Sequence, residues 1–139
     1  MGLLIGDKDV FEVKAIFEEK GNNTLVFYKE GEKVPETAKR ESFTFRKPRW
    51  SDMRRMMSDS IIPTGMGVVI NPYVFMDIKL KQLLQDWTLK DENGKKVKVD
   101  AEHIDMIHPA LCDHLNAELD KILGTTEEAP AVPPIEKLP

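Results

Sequence analysis

The hydrophobic period changes at Pro48, and this change constrains the fold more than any other feature. Before it, Phe11, Val13, Ala15 and Phe17 recur at every second position, the spacing that puts one face of a strand on a core. Gly21-Asn22-Asn23 then supplies turn chemistry, because Gly and Asn tolerate positive φ. Thr24–Tyr28 is a second β-rich run and Ser42–Arg46 a third, with Phe43 and Phe45 on one face. The polar stretch from Lys29 to Arg40 reads as an exposed connection. After Pro48 the apolar residues fall at helical spacing. Ser51 caps a predicted helix from Asp52, on which Met53, Met56 and Met57 recur. Pro63, Gly65 and Gly67 read as a mobile loop.

The clearest predicted helix runs from Pro72 to Trp87. Asn71 is its N-cap, Pro72 its first residue, and Met76, Leu80, Leu83, Leu84 and Trp87 its apolar stripe. Asn93-Gly94, with short alternating flanks from Thr88 to Val99, predicts a hairpin. Asp100 caps a short helix to Met106. A last helix spans Pro109 to Leu123, with Leu111, Leu115, Leu119 and Ile122 as its stripe and Gly124 as its end.

The expected fold is therefore α+β: a small N-terminal antiparallel β-sheet, then a helical C-terminal part with a short β-hairpin. Residues 1–124 form one domain, β-rich over 1–47 and mainly helical over 48–124. Residues 125–139, with four prolines and three glutamates, are expected to be a flexible acidic tail. The expected core is Phe43, Phe45, Trp50, Met76, Leu80, Leu84, Trp87, Leu111, Leu115 and Leu119.

Composition narrows the function classes only slightly. No apolar run approaches the roughly 20 residues needed to cross a bilayer. Met1–Ile5 is apolar but is followed at once by charge, unlike a signal peptide. The single cysteine, Cys112, makes a reducing compartment the default. His108 and Cys112 share a face of the last helix, the start of a zinc site, but His114 points away and no second cysteine exists. No metal and no cofactor is expected. Cys112 as a nucleophile lacks any flagged base or oxyanion hole, so no catalytic residue is assigned. Asp91–Gly94 resembles the start of a calcium loop, yet Lys95 and Lys96 would repel the ion.

The stretch from Lys39 to Arg55 carries seven cations against two carboxylates in a chain whose net charge is −4. Phe43, Phe45 and Trp50 are interleaved with them, the pattern of a single-stranded nucleic-acid platform. Phe43 and Phe45 suit a core better, and a basic patch on an acidic protein more simply meets an acidic protein surface. Nucleic acid is the third reading for this stretch. The residues assigned to partner binding are Arg46, Lys47, Arg49, Trp50, Arg54 and Arg55, with Met53, Met56 and Met57 as an adaptable apolar face and the mobile Pro63–Gly67 loop as a third carrier.

One overall pattern is familiar. A β-rich start leads into Phe43-Thr44-Phe45-Arg46-Lys47-Pro48-Arg49-Trp50-Ser51-Asp52. A Leu-rich segment ends in Leu84-Gln85-Asp86-Trp87-Thr88-Leu89-Lys90-Asp91-Glu92-Asn93-Gly94. Ile104, His108-Pro109-Ala110 and a terminal Leu-rich helix follow. Over Ser42 to Leu123 this resembles small bacteriophage proteins encoded among tail genes, especially tail assembly chaperones. The resemblance implies a non-enzymatic protein that binds tape-measure and tail-tube subunits in the host cytoplasm. Its rival is a structural virion component, in the tail, the baseplate or the head–tail connector, contacting neighbouring subunits. Self-association fits either.

Overall fold

A computed structural model describes residues 3–6 and 8–123. Gly124 and the tail expected over 125–139 lie outside the described residues. The architecture is mixed α+β. Strands β1 (Val10–Lys20), β2 (Thr24–Tyr28) and β3 (Lys39–Arg46) are followed by helix α1 (Trp50–Asp59). Strands β4 (Ile61–Thr64) and β5 (Gly67–Ile70) lead into helix α2 (Pro72–Leu83). Strand β6 (Leu84–Trp87) and helices α3 (Ala101–Asp105) and α4 (Pro109–Leu123) complete the described chain. The main sheet is antiparallel, with strand order β2-β1-β3-β6. The third strand begins three residues earlier than the alternation predicts.

The period-two face of β1 does what it promises. Val13, Ala15 and Phe17 join Phe43, Phe45, Leu84 and Trp87 in one core with Met56, Leu80, Leu83, Ile104, Leu111, Leu115 and Leu119. The helices therefore cover one face of the sheet. Asn22 and Asn23, at φ 65° and 58°, turn β1 into β2. His108 then latches this turn to α4: its Nδ1 accepts the Ala110 N–H at 3.0 Å and its Nε2 donates to the Asn23 carbonyl at 2.8 Å. On α2, the buried Lys79 reaches Asp120 of α4 at 3.0 Å and lies over the Phe75 ring.

Four expectations are corrected here. The helix expected to run to Trp87 stops at Leu83, and Leu84–Trp87 pairs with the edge of β3 as a strand. Its register slips at Thr44/Phe45, so that Phe43 faces Trp87 and Phe45 faces Leu84. The extra residue, Gln85, forms a bulge that lets Leu84 and Trp87 both point into the core although they are three apart. Second, α1 starts at Trp50, with Arg49 rather than Ser51 at its N-cap. Third, the expected loop at 61–67 is part of the β4–β5 hairpin. Fourth, Trp50 is 78% exposed rather than core, Met76 is only half-buried, and Ile122 falls off the buried stripe of α4. The predicted 88–99 hairpin is present in reduced form, with one bridge between Lys90 and Lys96 and a turn closed by Gly94 at φ 76°.

Candidate protein-binding face

The basic stretch does not form one surface. Arg46 makes a two-pronged ion pair with Asp52, at 2.6 and 3.1 Å, and reaches the Gln82 carbonyl. The same carboxylate accepts the Arg49 backbone N–H at 2.9 Å. The Arg49 side chain donates to the Ile5 carbonyl. These bonds tie the end of β3 to α1, α2 and the N-terminal segment. The Arg46 guanidinium holds the Asp52 carboxyl below its ordinary range. Arg46 and Arg49 are thus engaged within the fold and are withdrawn from the partner-binding set. Lys47, Arg54 and Arg55 are exposed.

The methionines divide in the same way. Met56 is fully buried among core residues and Met53 is packed against them, because α1 turns its Asp52–Met56 side inward. Met57 faces out. Trp50, Arg54 and Met57 follow i, i+4, i+7 and so form one outward stripe on α1. Of the nine predicted partner-binding residues, the structure leaves Lys47, Trp50, Arg54, Arg55 and Met57 on the surface.

In the chain, α1 is followed after Ser60 by the β4–β5 hairpin. Ile61 faces Ile70, Ile62 faces Val69 and Pro63 faces Val68. Successive side chains point to opposite faces, yet Ile61, Ile62, Val68, Val69 and Ile70 are all exposed, Val68 by 64%. Met66, at the tip, is wholly exposed, and Tyr73 and Val74 in the first turn of α2 are exposed as well. Residues 61–70 contain no charge. The turn is held by the Thr64 hydroxyl, which donates to the Gly67 carbonyl and accepts the Met66 N–H. Gly67 sits at φ 128°, a region that favours glycine.

An uncharged, two-sided apolar hairpin is a feature that solvent alone does not stabilise. The partner-binding assignment reached only Pro63–Gly67, read as a loop, and missed Ile61, Ile62, Val68, Val69 and Ile70. The signal was present in the β-branched pairs Ile61-Ile62 and Val68-Val69-Ile70 on either side of a Thr-Gly-Met-Gly turn. Pro63 and the two glycines concealed it.

The histidines each have separate structural partners. His103 meets its cap residue Asp100 at 2.7 Å, and His108 holds the latch to Asn23. His114 stacks on Phe27 with ring centroids 4.3 Å apart, and burial pushes its pKa below the ordinary 6.5. Burial raises the Cys112 thiol, which keeps it protonated and weakly nucleophilic. Among the described residues, no three His, Cys, Asp or Glu side chains gather as a metal would need. A groove of about 480 Å³ beside His114 is lined by Glu12, Lys14, Tyr28, Glu118 and Lys121, a mixture of both charges. No described helix is long and apolar enough to cross a membrane. The chain matches no family model, no curated protein and no solved structure.

Proposed function

We propose that this chain acts by binding other proteins, without chemistry of its own, in the assembly of a bacteriophage tail. The observation that carries the protein-binding part is the exposed, uncharged hairpin of residues 61–70, with Trp50 and Met57 exposed on the helix that precedes it in the chain. Such a surface suits an apolar protein partner, and the exposed cations Lys47, Arg54 and Arg55 suit one that also carries acidic residues. The tail assignment rests on the sequence resemblance over Ser42 to Leu123. In that setting the chain holds a tape-measure or tail-tube protein competent for assembly in the host cytoplasm.

Co-purification from infected cells tests the reading. Recovery with a tape-measure or tube protein, and absence from finished particles, is the expected result. A fixed copy number in purified virions would instead make the chain a structural subunit. Salt-sensitive binding to single-stranded DNA, with no protein recovered, would overturn both. Replacing Trp50 and Met57 by Ser should weaken capture and leave the fold intact. Replacing Arg46 or Arg49 should disturb the fold itself.

A further inference from the structure

We infer that the outer edge of β5 pairs with the β5 edge of a second copy of this chain, in a two-fold antiparallel contact centred on Val69. The inference deepens the protein-binding reading above, rests on it, and names the partner of the hairpin.

The direction of the backbone groups carries the argument. Asn71 N–H donates to the Ser60 carbonyl at 2.8 Å, and these two residues continue the register in which Ile61 faces Ile70. Bonded and non-bonded pairs alternate along an antiparallel ladder. Ile62–Val69 and Thr64–Gly67 are therefore bonded pairs. Ile61–Ile70 and Pro63–Val68 are not, and their backbone groups point away from the hairpin. On β4 that outward row has a gap, because Pro63 has no N–H. On β5 the row is complete, with N–H and C=O of both Val68 and Ile70. Proline on an edge strand is a known means of blocking pairing, and only one of the two edges carries it.

A second copy satisfies the open edge in one symmetric register. Val68 lies opposite Ile70 of the partner subunit, Ile70 opposite Val68 of the partner subunit, and the two Val69 residues meet at the axis. The 68–70 pairs exchange four N–H···O bonds, and the Val69 pair falls in the non-bonded position where side chains are closest. The charge pattern fits a like copy. Any charge on the hairpin would meet its own sign across the axis, and residues 61–70 carry none in a chain that is 32% charged. The combined sheet, ordered β4-β5-β5-β4, ends on a Pro63 edge at both sides. It therefore closes as a pair rather than growing into a fibre. The outward stripe of Trp50, Arg54 and Met57 lies on α1 rather than on this edge and stays available to a different protein.

Sedimentation velocity of the full chain over a wide concentration range tests this. The expected result is a concentration-dependent monomer–dimer equilibrium. Val68→Pro removes only an outward N–H and preserves the bonds between β4 and β5. It should weaken dimerisation at least about tenfold, since two of the four bonds are lost by symmetry. Val69→Lys, which places like charges at the axis, should do the same without touching the backbone. Pro63→Val restores an N–H to the β4 edge and should give species larger than a dimer. A chain that stays monomeric at its highest soluble concentration overturns the inference, as does a dimer indifferent to both Val68→Pro and Val69→Lys. A monomeric chain that still captures a tail protein would end the dimer and leave the protein-binding reading standing. A β5-dependent dimer that captures none would do the reverse.

Discussion

In the four-stranded sheet, Val13, Ala15, Phe43 and Phe45 are almost wholly removed from water. In the β4–β5 hairpin, Ile61, Ile62, Val68, Val69 and Ile70 keep two-fifths or more of their surface exposed. Both regions are antiparallel, and both are rich in the residues that favour strands. The difference lies in what covers them. The main sheet has α2 and α4 on one face and β6 on the edge of β3. The hairpin is a separate two-stranded sheet joined to the body at Ser60 and Asn71. Burial follows from a covering layer, not from apolar composition, so the stability of this molecule resides in one region and its contacts with others are assigned to the other.

Truncation should show that contrast at its largest. Phe43→Ala removes a fully buried ring that meets Trp87 edge-on, and should cost about 3–5 kcal/mol in a denaturant titration. A loss under about 1 kcal/mol would mean that the sheet core is looser than its burial implies. Next comes the ion pair at the base of α1. Asp52→Ala leaves Arg46 without its two-pronged partner and should cost roughly 2 kcal/mol. The double substitution Arg46→Met with Asp52→Ala should recover part of that loss, because the guanidinium that lost its two-pronged carboxylate is removed with it.

Acid should also act on the sheet region. Glu18 accepts bonds from Thr37, Tyr28 and Lys20, which hold its carboxyl at about 2 against an ordinary 4.5, the Thr37 hydroxyl first among them. A depressed folded pKa adds stability that is complete above pH 4.5 and is lost as pH falls toward 2. The lowered His114 has the same sign at higher pH: the unfolded chain takes up a proton near 6.5 before the folded chain does. Melting temperature should therefore fall in two stages on acidification. His114→Phe should remove the upper stage and Glu18→Gln should shrink the lower. An unaltered profile in both variants would place the acid sensitivity elsewhere. The smallest effect belongs to the hairpin. Val69→Ser should move stability by no more than about 0.5 kcal/mol in dilute solution, and a larger loss would show that the hairpin supports the core after all.

Legibility in the sequence followed the same division. Strand β2 and helix α4 match their predicted bounds, because alternation and a Leu stripe leave one reading each. Strand β6 was hidden by its bulge. Leu84 and Trp87, three apart and both buried, imitate a helical turn, and only pairing with β3 separates the two readings. The hairpin was hidden by Pro63 and its glycines, which mark turns in most contexts. The basic stretch misled for another reason. Sequence counts cations, but whether Arg46 meets Asp52 or solvent depends on where β3 delivers it relative to α1. Trp50 and Met56 exchanged their expected places because the phase of a ten-residue helix is set by which side its buried carboxylate faces.

The latch between His108 and Asn23 joins residues 85 positions apart, and His114 rests on Phe27 beside it. Strands β1 and β2 are therefore completed by a helix that leaves the ribosome long after them. Until α4 emerges, Val13, Ala15 and Phe17 lack part of the layer that keeps them from water, and until residues 84–87 emerge the β3 edge is open. Contacts so distant in sequence slow folding and leave a nascent chain with exposed strands until α4 has been made. A chain released before α4 would expose two unprotected sheet surfaces at once. Expression yield should therefore respond more sharply to translation pausing between residues 90 and 110 than to pausing earlier in the message.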